Sequence, residues 1–234
     1  MTELFNRVSR KFANAIDQAI GSGNYLRGDL FVALAEGAIP AGGYILDCGC
    51  GPGRLGLLLA RRGFRVRGLD ISEGMLNEAR ALDVTGLQIE FELIVNLAEA
   101  MPPDTFDGIV CSSVIEYVAD AEKLLQGFHR CLRKSGVLLI SYANASSYFR
   151  RRWARKAGEN PMGPAQHHTW DWAGFRSLLQ RCGFQTTTRP QFYESPWDHR
   201  FWGPWFRGSP YVGSLGVIAA RPMESVEGDR KGRV

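Results

Sequence analysis

One short segment, residues 45–55, limits what this chain can fold into more than any other. It reads ILDCGCGPGRL: an apolar run ends on Asp47, and three glycines follow before a helical pattern begins. Glycine reaches positive φ and lets the backbone approach a ligand, and the first N–H groups of a helix are unpaired. In an open α/β sheet, ligands bind at the carboxyl ends of the strands. The segment therefore predicts a ligand-binding turn between a strand and a helix.

The rest of the chain alternates short apolar runs with helical patterns, joined by short links. We predict strands at 44–48, 64–70, 89–95, 107–112, 137–142, 183–189 and 215–220, and helices at 3–20, 25–37, 55–62, 74–82, 119–133 and 170–182. Such an alternation is typical of a doubly wound α/β fold, in which helices cover both faces of a mostly parallel sheet.

Composition excludes several classes of protein. With 45% hydrophobic and 22% charged residues in 234 positions, a wholly disordered, collagen-like or coiled-coil chain is excluded. The chain has no run of 18 apolar residues, and its first residues lack the apolar core of a secretory signal. Five cysteines without a CxxC pair predict reduced thiols in a cytoplasmic protein, with no disulfide framework and no metal site. A net charge of +4, with both signs mixed, does not call for nucleic acid.

Two carboxylates discriminate between the ligands that the turn could hold. Residues 51–56 fit the GxGxxG pattern of dinucleotide-binding folds, which alone is a weak signal. Asp47 would repel a pyrophosphate at that point and suits a cationic group such as an amine. Asp70 ends the next predicted strand, where a carboxylate accepts hydrogen bonds from both hydroxyls of a ribose. An amine and a ribose with no phosphate between them describe S-adenosylmethionine. The alternatives are that the turn binds a dinucleotide or that it binds no ligand.

Taken together, these motifs resemble the class I S-adenosylmethionine-dependent methyltransferases. ILDCGCGPGRLG, GLDIS-x-GML, LAEAMP, FDGIVCSSVIEYV and LRKSGVLLIS follow one another in the family's order across residues 44–142. The resemblance implies a seven-stranded, mostly parallel sheet with an antiparallel last strand, which Leu215–Ala220 could supply. It also implies S-adenosylmethionine as cofactor and S-adenosylhomocysteine as product.

The resemblance further implies where the cofactor lies. The methionine part lies near Asp47 and the glycines, the ribose at Asp70, and the adenine against Ile71 and Met75. Where many members have an aspartate for the adenine amino group, this chain has Leu97, which leaves that contact unassigned. The residues that we expect at the cofactor are Tyr25, Arg27, Asp47, Gly49, Cys50, Gly51, Gly53, Asp70, Ile71, Met75, Asn96, Leu97, Ala98, Ser112 and Ser113.

Few signals mark the side of the methyl acceptor. His167 and His168 precede a predicted helix and are the candidate general bases, because histidine titrates near neutral pH. Tyr117 is a third catalytic candidate. Exposed loop histidines and a packing tyrosine are the alternatives. Tyr142 and Asn144, at the end of the fifth strand, are candidate acceptor contacts.

The run at residues 150–156 places five cations and one tryptophan within seven positions. It could bind a phosphate, a carboxylate, RNA or a membrane surface, or form a solvated helix face. We predict methyl transfer to an oxygen or nitrogen of a small-molecule acceptor by in-line displacement. An RNA or protein methyltransferase that uses the basic run, and a non-catalytic member that binds the cofactor, are the alternatives. Nucleic acid is disfavoured because the net charge is modest.

We expect a single domain over residues 1–223. Its parts are an N-terminal helical cap (1–43), a cofactor-binding half (44–142) and an acceptor-side half (143–223), followed by a flexible tail (224–234). Within the acceptor-side half, residues 144–166 and the aromatic segment 189–213 are expected to be insertions that lie over the sheet, the second as a C-terminal cap.

Overall fold

A computed structural model of the protein describes residues 2–21, 26–95, 101–155, 166–193 and 208–223. The helices are α1 (Thr2–Gly21), α2 (Leu26–Ala38), α3 (Arg54–Ala60), α4 (Glu73–Arg80), α5 (Ala121–Cys131), α6 (Tyr148–Arg155) and α7 (Trp172–Arg181), with a 3-10 turn at Ile115–Tyr117. The strands are β1 (Tyr44–Cys48), β2 (Arg65–Asp70), β3 (Ile89–Leu93), β4 (Phe106–Cys111), β5 (Leu132–Ala143), β6 (Phe184–Thr186), β7 (Gln191–Tyr193) and β8 (Leu215–Pro222). None of the helices within these ranges is long and apolar enough to cross a membrane.

The strands form one twisted sheet in the order β3-β2-β1-β4-β5-β8-β6. Strands β1 to β5 pair in parallel, and β8 runs antiparallel to β5. The predicted mostly parallel sheet with an antiparallel last strand is therefore confirmed. The chain fills one side of β1 with β2 and β3 and then returns to the other side with β4. The switch point between β1 and β4 is where a doubly wound sheet binds its ligand.

The outer edge of the sheet differs from the prediction. Strands β6 and β7 pair with successive stretches of β8, so the strand predicted at 183–189 is shortened to Phe184–Thr186 and a second strand, Gln191–Tyr193, follows it. Between them, the Oγ1 of Thr188 accepts the Ala219 N–H (3.0 Å) in place of a backbone carbonyl, and Pro190 has no N–H to give. The expectation that all of 189–213 lies outside the sheet was wrong for Gln191–Tyr193. Residues 194–207, which hold much of the predicted aromatic cap, are outside the described ranges, as is the predicted tail.

Side chains that alternate along the strands build two apolar layers. Leu46 of β1 and Leu138 of β5 pack with α5 and α7 on one face of the sheet. Ile45 and Leu139, their neighbours in sequence, pack with α2 and α3 on the other face. This period of two is what a strand buried on both faces requires.

Side-chain caps fix the start of three helices. Ser72 accepts the Met75 N–H before α4 (3.1 Å), and Asp120 and Asp171 do the same before α5 and α7. Helix α5 ends at Cys131 instead of residue 133, because β5 begins there and its first residue pairs with β4. The expected insertion at 144–166 contains α6.

Helix α1 is fastened to the body by two polar contacts. Near its start, Asn6 Oδ1 accepts hydrogen bonds from Ser72 Oγ (2.7 Å) and Gly74 N (2.9 Å). Near its end, Asp17 accepts two hydrogen bonds from the guanidinium of Arg54, at 2.8 and 2.6 Å. Gly74 permits this approach, since a Cβ there would lie 2.9 Å from Asn6 Cα.

Gly216 of β8 generates a stability prediction. A Cβ at this position would overlap the Tyr142 ring, which is buried and stacked on Phe175 with ring centroids 4.2 Å apart. We expect Gly216→Ala to lower the free energy of unfolding by about 2 kcal/mol through overpacking, measured by urea denaturation. Gly37→Ala is the control: it lies in α2 with open space around it and should stabilise by up to ~1 kcal/mol. Equal effects of the two substitutions would contradict this packing.

Candidate active site

A cleft opens at the carboxyl ends of β1, β2 and β4, at the switch point of the sheet. It encloses about 880 Å³, the open mouth included, and α1 forms its roof. Ten of the expected cofactor-contacting residues line it: Arg27, Asp47, Gly49, Cys50, Gly51, Asp70, Ile71, Met75, Ser112 and Ser113. Tyr117, a catalytic candidate, lines it too. The structure thus brings together residues from three strand ends and from α2.

The glycine turn is shaped by three residues with positive φ, Gly49, Gly51 and Gly53. A Cβ at Gly49 would overlap the Val114 side chain, and one at Gly53 would lie 2.7 Å from the Phe91 ring. At Gly51, by contrast, a Cβ would meet nothing within 4 Å, so the backbone here borders open space in the cleft. Gly53 is the N-cap of α3 and is not part of the cleft lining among the described residues.

Asp70 connects the glycine turn to the end of β2. Its Oδ2 accepts the Gly51 N–H and its Oδ1 accepts the Ser72 N–H, both at 2.8 Å. Burial raises the pKa of this carboxyl, while the two backbone donors oppose part of the rise. Each carboxylate oxygen still has a lone pair to offer, so the group can accept further hydrogen bonds from a ligand.

Asp47 is the least satisfied polar group of the cleft. Its side chain is only 2% exposed, and its Oδ2 has no partner of ordinary hydrogen-bond geometry among the described residues. Desolvation first, and then the charge of Asp70, raise its pKa to about 7, although the Gly56 N–H opposes part of that rise. Two adjacent carboxylates with an orphaned oxygen would be stabilised by a cation. This side of the cleft therefore fits a cationic group such as an amine.

Arg27 brings a positive charge to the opposite side of the turn. Its Nη1 donates to Ser113 Oγ at 2.6 Å. Ser113 has a left-handed backbone (φ 56°), unusual for a residue with a side chain, and its N–H donates to Ser141 Oγ at 2.7 Å. Strained residues of this kind concentrate at functional sites, because the surrounding contacts must hold them in place.

The two candidate bases lie behind the cleft wall. The N–H groups of His167 and His168 donate to the carbonyl of Glu116, at 2.8 and 3.1 Å. The His168 ring stacks on Trp170, with centroids 5.2 Å apart, and its Nε2 lies 3.1 Å from the Ala119 carbonyl. Neither histidine is among the described residues that line the cleft. Both instead hold the turn that presents Tyr117.

Several other candidates also have structural contacts. Asn144 is buried and its Nδ2 donates to the carbonyls of Pro210 (2.6 Å) and Gly213 (2.8 Å). Tyr142 is buried beside Phe175. In the basic run, Arg150 donates to the carbonyl of Ser214, which precedes β8, and Arg151 donates to the carbonyl of Ala145, so both guanidinium groups bond to backbone of the protein. Tyr25, Asn96, Leu97, Ala98 and Lys156 lie outside the described residues.

Sequence reasoning missed eight of the lining residues, namely Phe5, Phe12, Ile16, Pro52, Arg54, Leu55, Val114 and Val118. The three from α1 belong to an apolar stripe that the sequence shows, but the stripe gives no sign of what it faces. Arg54 follows the glycine turn directly and gave no signal, because its partner Asp17 lies 37 positions away.

The five cysteines are free and buried. Cys48 and Cys111 end the neighbouring strands β1 and β4, and burial together with their mutual contact raises the pKa of the Cys48 thiol. Within the described ranges, no three His, Cys, Asp or Glu side chains are grouped as metal ligands.

Comparison with known proteins identifies the family. A family model described as a methyltransferase domain matches residues 24–189, which is more than two thirds of the chain. The chain belongs to this methyltransferase family. The prediction of a class I S-adenosylmethionine-dependent methyltransferase is therefore confirmed, as are its fold and enzyme class.

Curated relatives of this methyltransferase include ubiquinone biosynthesis O-methyltransferases. The one from Pseudomonas syringae pv. tomato is 35% identical over 114 residues, covering 47% of this chain and 49% of the relative. The one from Ruegeria pomeroyi is 32% identical over 165 residues, covering 67% and 65%. The chain thus spans about half the length of the first of these relatives.

Solved structures share the fold. Magnesium protoporphyrin IX methyltransferase from Synechocystis PCC 6803, crystallised with S-adenosylhomocysteine, superposes with a TM-score of 0.64 at 23% identity, covering 88% of this chain and 87% of the other. A TehB-like methyltransferase from Corynebacterium glutamicum gives a TM-score of 0.61 at 21% identity, with 92% and 97% covered.

The raised pKa of Asp47 generates a prediction about stability. The folded state holds this proton up to about pH 7 and the unfolded state only to about pH 4, so ionised Asp47 destabilises the ligand-free fold as pH rises through this window. We expect Asp47→Asn to stabilise the ligand-free protein at pH 8 by on the order of 2 kcal/mol, with the gain shrinking toward pH 4. Urea denaturation across this pH range measures it. A gain in the free energy of unfolding that does not change with pH would contradict the raised pKa of Asp47.

Proposed function

We propose that this methyltransferase transfers the methyl group of S-adenosylmethionine to an oxygen of a small-molecule acceptor. One observation carries the proposal: the cleft has a polar side, built by the strand ends, and an apolar side, built by α1 and the 115–117 turn. The polar side suits a charged, ribose-bearing cofactor and the apolar side suits a second molecule beside it. Oxygen as the accepting atom is supported by the O-methyltransferases among the relatives.

The proposed cofactor contacts follow from the contacts of the cleft. Asp70 would accept the ribose hydroxyls while it keeps its two backbone donors. Asp47 would stabilise the amino group from its buried position. Arg27 would pair with the carboxylate of the methionine part, since its guanidinium already reaches the strained Ser113. Ile71 would pack against the adenine.

The remaining expected contacts also stay proposals. Met75, Cys50 and Ser112 line the cleft, and Met75 would pack against the adenine. The proposal for Tyr25, Asn96, Leu97 and Ala98 rests on the sequence motifs alone.

The main task of the protein in this reaction is to position the two reactants. S-adenosylmethionine supplies a sulfonium-activated methyl group and leaves as the neutral thioether S-adenosylhomocysteine. The protein must hold the acceptor oxygen in line with that methyl group, and such orientation contributes roughly 7–11 kcal/mol in well-aligned reactions. It must also let the acceptor's hydroxyl proton leave. Of the three predicted catalytic residues, Tyr117 lines the cleft and can hold the acceptor oxygen through its hydroxyl. His167 and His168 would act through the turn that carries it.

Substitution of Asp70 tests the cofactor site. Asp70→Ala removes the ribose acceptor and leaves the Gly51 and Ser72 N–H groups without their partner. We expect it to weaken S-adenosylhomocysteine binding by more than tenfold, measured by titration calorimetry. Asp83→Ala, which removes an exposed carboxylate from the 83–85 turn, is the matched control and should leave binding unchanged. An unchanged affinity of Asp70→Ala for S-adenosylhomocysteine would contradict this placement of the ribose.

Substitutions of Tyr117 and His168 separate contact with the acceptor from support of the turn. With 4-hexylphenol as acceptor and S-adenosylhomocysteine formation as readout, Tyr117→Phe should lower kcat about tenfold or more because it removes the hydroxyl that orients the oxygen. His168→Ala should lower kcat less and leave the shape of the pH–rate profile unchanged, since its ring packs on Trp170 behind the wall. An acidic limb, with the rate falling as the pH drops, that is present in the wild-type protein and disappears in His168→Ala would show instead that this histidine is the general base.

A further inference from the structure

We infer that the apolar face of α1 recognises the methyl acceptor, and that the acceptor is therefore a neutral, apolar molecule. The inference rests on the proposed function, because it assigns the second half of the same cleft. It makes Phe5, Phe12 and Ile16 the residues that determine acceptor specificity.

Helix α1 docks on the protein with its small and polar stripe. Asn6, Ser9, Ala13 and Asp17 recur every three or four residues and so lie on one face of the helix. Ser9 and Ala13 are the buried residues of α1, and Asn6 and Asp17 on the same stripe make hydrogen bonds to the body. An amphipathic helix ordinarily turns its large apolar side chains toward the core. Here the smallest side chains take that place.

The large apolar side chains of α1 face the cleft instead. Phe5, Phe12 and Ile16 line it, and Phe12 is still 42% exposed to solvent. Full burial of a phenylalanine or isoleucine side chain stabilises a fold, so leaving these side chains partly covered forgoes stability. A ligand that fills the cleft would recover that burial.

The acceptor fits this face better than the cofactor does. The hydrogen-bonding and charged atoms of the cleft, at Asp47, Asp70 and Arg27, lie on the side built by the strand ends and α2. The α1 side chains present only carbon. At one end, the Phe5 ring meets the Tyr117 ring edge-on, with centroids 5.7 Å apart at 90°, so two aromatic side chains border the acceptor side.

Charge on the acceptor is disfavoured by the same lining. Its two described arginines are both taken: Arg27 would pair with the carboxylate of the cofactor, and Arg54 pairs with Asp17. Asp47 and Asp70 would repel an anion. A carboxylated or phosphorylated acceptor would thus lose its hydration without gaining a counter-charge from these residues.

Both anchors of α1 attach beside a cofactor loop. Asn6 bonds to Ser72 and Gly74, just after Asp70, and Asp17 bonds to Arg54, just after Gly53. The acceptor wall is therefore held in register with the two loops that would hold the cofactor. Asn6 and Asp17 are positioning residues in this account.

The test is calorimetric binding to the full chain saturated with S-adenosylhomocysteine. The probes are phenol, 4-ethylphenol, 4-butylphenol and 4-hexylphenol, with 4-hydroxybenzoate as the anionic comparison. We expect Kd to fall about threefold for each added methylene and 4-hydroxybenzoate to bind at least tenfold more weakly than 4-ethylphenol. Phe12→Ser should flatten the dependence on chain length and leave the affinity for S-adenosylhomocysteine within twofold. Tyr211→Ser is the control, because Tyr211 is an aromatic residue that is 69% exposed and lies outside the described cleft lining. It should change neither the dependence on chain length nor the affinity for S-adenosylhomocysteine.

Three results would overturn the inference: no dependence on chain length, tighter binding of 4-hydroxybenzoate, or a Phe12→Ser variant that loses S-adenosylhomocysteine affinity tenfold and keeps the phenol series. The last result would mean that α1 covers the cofactor instead of the acceptor. If the phenols bind as expected but S-adenosylmethionine yields no methylated product, the proposed transfer to an acceptor oxygen fails while the inference is supported. The two failures are thus distinguishable.

Discussion

The carboxylate of Asp70 is the contact on which the site depends. It joins the glycine turn after β1 to the start of α4 by accepting one N–H from each. Asp47 lies buried beside it, and desolvation, together with the charge of Asp70, raises the pKa of Asp47 to about 7. In the ligand-free protein this arrangement is unfavourable. A cationic ligand would reverse this effect on stability. The carboxylate pair that destabilises the ligand-free fold would then favour binding of the cofactor.

The roof of the cleft is likewise arranged in a way that lowers the stability of the ligand-free protein. Helix α1 contributes its small residues to the body and its large apolar residues to the cleft, and two polar contacts hold it in that orientation. Because those contacts involve Ser72 and Arg54, the residues that hold the roof directly follow Asp70 and the glycine turn. The 3-10 turn completes the enclosure from the other side, and the histidines behind it fix its backbone.

Much of this could be predicted from the sequence where the cause is local. The glycine turn, Asp47 and Asp70 were predicted because positive φ and strand ends leave direct traces in sequence. The orientation of α1 could not be predicted, since an amphipathic pattern shows which residues share a face and not which face docks. That depends on Gly74 and Arg54, distant in sequence. His167 and His168 suggested a base, but the Glu116 carbonyl places them behind the wall. The break between β6 and β7 likewise follows from a contact between residues distant in sequence, in which the Thr188 hydroxyl accepts the Ala219 N–H of β8.

The most direct test of the account is calorimetric titration of the protein with S-adenosylhomocysteine at pH 8 and at pH 6, with NAD as the comparison. An amino group beside Asp47 favours its ionised form, so binding must expel a proton below about pH 7. The account predicts micromolar affinity at pH 8 that weakens by up to about tenfold at pH 6, a loss absent in Asp47→Asn, and no binding of NAD. Failure to bind S-adenosylhomocysteine at either pH, or binding of NAD with comparable affinity, would contradict the central claim that this carboxylate pair holds a cationic, ribose-bearing cofactor.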